Sequence, residues 1–263
     1  MLTMPRKTKE PDWVALVDEW DSIMAGIDRS RSLKLDFIMD LLDAMRFRKF
    51  TILDLGSGPG AFARRILERF PGSTIVAIDS NPVMLRVGEG ALAGYGPRIQ
   101  WIRADLRAPD WEKLLPSRKV DVALSSIALH GHRPEELRLL CKTLGRLLRR
   151  GGLYVDADWI PWEGNQNPFN DVADRIRELR EERDVRSSRK HFGAKLKQWS
   201  ARIAKIETLR ELVLENKSER KREMITSKMV GLETHLRYLH DAGFRQATVM
   251  WQERQMRVLV AIR

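Results

Sequence analysis

The residues best suited to chemistry lie in the run Thr51 to Gly60, TILDLGSGPG. Gly56, Gly58 and Gly60 follow an apolar stretch and precede a helix-like one, AFARRILERF. Such a turn brings bare backbone N–H groups up to a ligand, with no Cβ in the way. Asp54, two residues before the first glycine, puts a carboxylate into the same crevice. A second acidic residue, Asp79, closes the next apolar run, where a carboxylate can grip a pair of ribose hydroxyls. A third, Asp105, closes the run after that. The third glycine comes one residue earlier than in G-x-G-x-x-G, and no Gly-Lys-Ser/Thr follows, which excludes a P-loop. His130 has a default pKa near neutrality and suits either a general base or a structural hydrogen bond. His130 and His132 have no third partner at ligand spacing, so no metal is expected. Asp158 ends a later apolar run and suits either an amine-binding role or a turn cap.

Regular alternation must position these groups. Two helices come first, Trp13 to about Met24, capped by Asp12, and Arg31 to Met45. Strands are expected at 51–55, 74–78, 99–104, 120–125 and 153–157, with helices between them. The helix from Pro134 is expected to stop at Gly151-Gly152. From Trp159 to about Lys228 the pattern turns to tryptophans, Pro/Asn and charged helical sequence, read as an inserted cap of two or three helices. Its buried edge is expected to hold Phe169, Ile176, Leu179, Phe192, Leu196, Trp199 and Ile203. A helix at 232–240 and strands at 246–251 and 256–262 end the chain. This predicts an α/β fold: a Rossmann-like, seven-stranded, mostly parallel sheet with an antiparallel last strand. The expected division is an N-terminal helical cover (1–48), a core (49–158 and 229–263) and the cap insertion (159–228).

The chain has 263 residues, ample for one elaborated α/β domain. No apolar run reaches the roughly 18 residues of a membrane span. The start, MLTMPRKTKEPDW, lacks the apolar centre of a signal peptide. The single cysteine, Cys141, rules out an internal disulfide and suits a reducing, cytoplasmic setting. It sits in LRLLCKTL, which reads as packed helix. The net charge of +11 is interleaved with acidic residues, which suits a solvated helical surface and leaves nucleic acid as an alternative partner.

Together, these residues resemble motif I of the class I S-adenosylmethionine-dependent methyltransferases, of the bacterial small-molecule type. The resemblance continues beyond the glycine turn. Asp79-Ser80 with Asn81-Pro82 and Met84 resembles motif II, which implies ribose and adenine contacts. Ala104-Asp105-Leu106 resembles the segment that meets the adenine amino group. VDVALSSIALHGH, with Ser125 and Ser126, resembles motif IV beneath the methionine part of the cofactor. LLRRGGLYVDAD resembles motif V. The ending resembles the helix-AGF-hairpin of this family. About residues 50 to 158 and 230 to 263 are covered. The resemblance implies S-adenosylmethionine as cofactor, held by Asp54, Gly56, Ser57, Gly58, Gly60, Asp79, Ser80, Met84, Ala104, Asp105, Leu106, Ser125 and Ser126.

The acceptor is read from other residues. Trp13 and Trp20 on the first helix, His130, Asp158 and Trp159 are the expected acceptor-side groups, with His130 as the catalytic base. The Asp/Asn-Pro-Pro-Tyr/Phe tetrad of base-directed amino-methyltransferases is replaced by Ser125-Ser126-Ile127-Ala128. This favours a small-molecule O- or N-methyltransferase working by in-line transfer. An RNA- or tRNA-modifying enzyme is the alternative, and a non-catalytic cofactor-binding protein the third reading.

Overall fold

A computed structural model describes residues 10–117, 119–164, 166–184, 189–220 and 229–263. The expected absence of a signal peptide falls on the first nine residues, outside that set. So do the parts of the expected cap at 185–188 and 221–228.

Two helices come first, α1 (Trp13–Ile27) and α2 (Arg31–Ala44). The Asp12 carboxylate accepts the Ala15 N–H at 3.0 Å, which fixes the start of α1 as the sequence implied. The first half of the sheet follows as β1 (Phe50–Leu55), α3 (Ala61–Arg69), β2 (Ser73–Asp79), α4 (Pro82–Ala91), β3 (Ile99–Arg103) and β4 (Val120–Ser126). The chain continues through α5 (Pro134–Leu147) and β5 (Leu148–Trp159). Among the described residues three α-helices then intervene, α6 (Pro168–Arg183), α7 (Arg189–Ile203) and α8 (Arg210–Arg220), before α9 (Leu232–Asp241), β6 (Gln246–Glu253) and β7 (Met256–Ile262).

The strands form one seven-stranded sheet in the order β3-β2-β1-β4-β5-β7-β6. Strands β1 to β5 pair in parallel, and β7 runs antiparallel to both neighbours. The expected sheet is therefore the observed one. Its central strands are apolar on both sides because helices cover both faces. On one face Leu137, Leu140 and Leu144 of α5 pack with Leu239 of α9. On the other, Leu35, Ile38 and Leu42 of α2 pack with Phe62 and Ile66 of α3. A third cluster joins Leu16 and Val17 of α1 to Val83 and Val87 of α4 and to Trp199 and Ile203 of α7.

Two local expectations are corrected. Gly151-Gly152 do not stop α5, which ends at Leu147 and passes straight into β5. These glycines sit where β5 shifts register against β4, and a Cβ on Gly152 would lie 2.9 Å from the Asp121 carbonyl oxygen. The cap's buried edge is also different. Trp199 and Ile203 are buried, but Phe169 is 60% and Ile176 37% exposed. The reason is that α7 docks on α1, with Trp199 Nε1 donating to the Leu16 carbonyl at 3.1 Å, whereas α6 buries only Ala173.

Candidate active site

In a parallel sheet the C-terminal ends of the strands open into a crevice where the strand order reverses. Here that crevice is a cavity of about 780 Å³. The turn after β1 supplies Gly56, Ser57 and Gly58 to its wall. The end of β2 and the start of α4 supply Asp79, Ser80 and Met84, and the end of β3 supplies Ala104, Asp105 and Leu106. Ser126 comes from β4, and Trp20 reaches in from α1. The structure thus brings together ten of the thirteen expected cofactor residues and one of the expected acceptor residues.

The turn after β1 is held by β2. Gly56 N–H and Ser57 N–H both donate to the Ile78 carbonyl, at 2.8 and 2.9 Å. Gly58 N–H donates to Asp79 Oδ2 at 2.8 Å, and Asn81 N–H to Asp79 Oδ1 at 2.8 Å. Asp79 is only partly buried, so its carboxylate still faces the cavity. Gly56 has φ +71°, and a Cβ there would fall 2.4 Å from the Ala128 Cβ. A glycine is required both by the conformation and by the close approach.

Asp54, Gly60 and Ser125 lie behind this wall rather than on it. Asp54 is 2% exposed, and its Oδ2 has no hydrogen-bond partner among the described residues. Burial, reinforced by the nearby Asp79 charge, pushes its carboxyl up to about 7. Gly60 has φ +80° and lies against Trp101, so its task is packing at the start of α3. Asp105 is gripped by Arg107 through the backbone N–H, Nε and Nη2, all at 2.9 Å. Burial alone would raise the Asp105 carboxyl, but these Arg107 bonds hold it below its ordinary value.

The remaining expected acceptor residues do not line the cavity. Trp13 lies between α1 and α4, donating to Glu10 Oε2 at 3.1 Å with the Arg86 guanidinium 4.8 Å over its ring. Asp158 is 1% exposed and wholly engaged with protein groups. His130 points its Nδ1 at Asp158 Oδ1 at 2.9 Å, and its side chain is 38% exposed. The hydrogen bond to Asp158 raises the His130 pKa against the opposing effect of burial. Trp159 stands edge-on to the His130 ring at 6.0 Å.

Other groups reach the cavity that were not among the expected cofactor and acceptor residues. Met24 comes from α1 and Asn216 from α8. Arg31, at the start of α2, is 7% exposed and commits both Nε and Nη2 to one oxygen of Asp21 at 2.8 Å, leaving Nη1 outside those bonds. His132 sets its Nδ1 against the Leu129 carbonyl at 3.1 Å, and burial lowers its pKa, so the ring is a neutral wall group. Nothing local marks Arg31 or Asn216, because both are brought in by long-range packing. Among the described residues no group of three or more His, Cys, Asp or Glu could hold a metal. Cys141 is buried, and burial together with Asp156 pushes its thiol up to about 12.

The donor set fits a nucleoside carrying a charged amino-acid end. It offers a glycine cradle, a half-buried acid at Asp79, a second acid at Asp105 and, at Asp54, a buried carboxyl whose Oδ2 has no hydrogen-bond partner among the described residues. This sheet order with this site defines the class I methyltransferase architecture. Residues 52–152 match the family model described as a methyltransferase domain. Over 103 residues the chain is 37% identical to a trans-aconitate 2-methyltransferase of Azoarcus sp. (strain BH72), covering 39% of this chain and 36% of that protein. Over 79 residues it is 33% identical to malonyl-acyl-carrier protein O-methyltransferase 1 of Ilyobacter polytropus, covering 30% of this chain and 27% of that protein. The chain thus spans about a third of the length of these relatives. A solved O-methyltransferase family protein from Burkholderia thailandensis shares the fold at TM-score 0.59 and 16% identity, covering 93% of this chain and 59% of that one.

Proposed function

We propose that this chain is a methyltransferase that uses S-adenosylmethionine to methylate an oxygen or nitrogen atom of a small molecule, a carboxylate being the favoured acceptor class. The observation that carries this reading is the cavity whose wall brings together the glycine turn, Asp79, Asp105, Ser126 and Trp20. When bound, S-adenosylmethionine supplies an already activated sulfonium methyl, so the protein's task is to align the reactants and exclude water. Asp79 would hold the ribose hydroxyls, Asp105 the adenine amino group, and Met84 the adenine face. Gly56 to Gly58 and the buried Asp54 would meet the amino-acid end. Arg31, with an edge outside its Asp21 contact, would serve a carboxylate at that same end.

The acceptor class follows from proton bookkeeping. A phenol or ammonium acceptor needs a base, and the β4–α5 loop carries two histidines; His132 lines the cavity, but its Nδ1 is set against the Leu129 carbonyl and its Nε2 is buried, which leaves His130. Yet His130 does not line the cavity, and its Asp158 partner raises its pKa, which favours the protonated ring over the free base that would accept a proton. A carboxylate arrives already ionised and needs no base. Two of the relatives are named for trans-aconitate and a malonyl thioester, both of which carry carboxylates. The arginines that line the cavity are each paired with a carboxylate, Arg103 with Glu215, Arg107 with Asp105 and Arg31 with Asp21, which does not favour a polyanion such as RNA there. Assays with labelled methyl donor on panels of carboxylic acids, phenols, amines and RNA test the reading. Esters of one or more carboxylic acids are expected. Strong methylation of RNA with none of the small molecules would sink the reading, and labelled phenols or amines would restore His130 as base.

A further inference from the structure

We infer that Asp158 is a positioning residue whose buried carboxylate clamps the β4–α5 loop into the shape that walls the cavity. Its Oδ2 accepts three successive backbone N–H groups, those of Ala128, Leu129 and His130, at 3.1, 2.9 and 3.0 Å. Its Oδ1 accepts the Trp159 N–H at 2.7 Å and faces His130 Nδ1 at 2.9 Å. Successive N–H groups converging on one point form a concavity that elsewhere binds ligand anions. Here the occupant is the chain's own carboxylate, delivered from the end of β5 about 30 residues away.

The clamp has consequences at the cavity. Ile127, just before the three N–H groups, is held at φ +55°, a conformation that disfavours β-branched residues. Its own N–H donates to the Ala157 carbonyl at 3.1 Å, which ties both ends of the strained turn to β5. Ala128 is thereby set against Gly56, filling the space a Cβ there would need. Ser126, Ile127, Ala128, Gly131 and His132 then form a continuous wall. A lone buried charge would be costly, but five hydrogen bonds offset its lost hydration. The surroundings leave Asp158 as the ionised member of its pair. Its neighbour Asp156, also buried, is driven well up by burial and by the Asp158 charge, and so keeps its proton. The buried Lys34 ammonium, paired with Asp28 at 2.8 Å, lies on the Ala157 carbonyl at 3.4 Å.

The test combines hydrogen exchange with binding of S-adenosylhomocysteine, and only the binding arm rests on the proposed cofactor. In the unliganded wild type, the N–H groups of 128, 129 and 130 should be protected although they have no helical or strand partner. In Asp158→Asn they should exchange at least tenfold faster while those of β4 and α5 keep their rates. Affinity for S-adenosylhomocysteine should fall at least tenfold per folded molecule, whatever happens to the melting temperature, which a merely structural role would lower alone. Unprotected wild-type N–H groups overturn the clamp even if the variant fails to fold. Faster exchange with unchanged affinity overturns its positioning role. A wild type that binds no S-adenosylhomocysteine overturns the cofactor reading, and exchange alone then decides the clamp.

Discussion

Two turns meet at the centre of the cavity, and both are held by a carboxylate from the end of a neighbouring strand. Asp79 of β2 holds the turn after β1 through Gly58 N–H, and Asp158 of β5 holds the loop after β4 through three N–H groups. The resemblance ends at the backbone and at exposure. The first turn reaches positive φ through glycines at 56, 58 and 60, at 71°, 55° and 80°. The second reaches φ +55° at Ile127, against the preference of its side chain. Asp79 is partly open to the cavity, whereas Asp158 is 1% exposed and fully used. One strategy makes a turn cheap and leaves its carboxylate on the cavity wall. The other makes a turn costly and consumes the carboxylate in holding it.

The largest test of this contrast is Gly56→Ala. The left-handed conformation costs an L-residue roughly 1–2 kcal/mol, and forcing a methyl into a filled site adds about 1–3 kcal/mol. Urea denaturation should show a total loss of about 3 kcal/mol. Adding Ala128→Gly removes the partner of the clash and should recover roughly half of that, a coupling expected for residues in contact. No recovery would mean that the conformation alone, and not the approach of the two turns, makes the glycine necessary.

Next in size is Asp79→Ala. Losing a charged hydrogen-bond acceptor for the ribose should weaken S-adenosylhomocysteine binding by roughly 1.5–3 kcal/mol, read by calorimetry. Unchanged affinity would show that Asp79 serves only the turn, as Asp158 does, and the proposed difference between the two carboxylates would collapse.

These two turns also show what the chain made legible. The glycine turn, Asp79 and Asp105 were readable because their signal is local: a strand, then glycines or an acid, then a helix start. The sheet was readable because the apolar runs and helices alternate regularly. The Asp158 clamp was not readable as a clamp, since the three N–H groups it binds lie 28 to 30 residues earlier and carry no side-chain signature. Arg31 and Asn216 were missed for the same reason, each being a polar residue on an amphipathic helix that only docking turns inward. The exposed Phe169 and Ile176 show the converse: apolar spacing marks a helix face but not which partner covers it.

A smaller effect separates the backbone part of the clamp from its imidazole. Bonding to Asp158 raises the His130 pKa in the folded protein, so that stabilisation is complete below the unfolded value near 6.5. It is lost as pH rises through the raised folded value. His130→Phe should therefore lower the melting temperature more at pH 6 than at pH 9, whereas the three backbone bonds persist at both. Because the side chain is 38% exposed, solvent screening keeps the difference to about 1 kcal/mol. An equal loss at both pH values would indicate that the ring contributes packing against Trp159 rather than charge.

The smallest expected effect belongs to Ile127→Gly, and its smallness is informative. A non-glycine residue at φ +55° stores strain of roughly 1–2 kcal/mol, which glycine would release. Against this, glycine gives the unfolded chain more freedom, worth roughly 0.5–1 kcal/mol, and removes a half-buried side chain from the cavity wall. The two sides nearly cancel, so urea denaturation should place the variant within about 1 kcal/mol of the wild type. In Gly56→Ala the conformational strain and the clash have the same sign and outweigh the roughly 0.5–1 kcal/mol gained from a less flexible unfolded chain. A loss beyond about 2 kcal/mol in Ile127→Gly would show that the loop is held by the Ile127 side chain, and that Asp158 stabilises a shape the loop adopts without it.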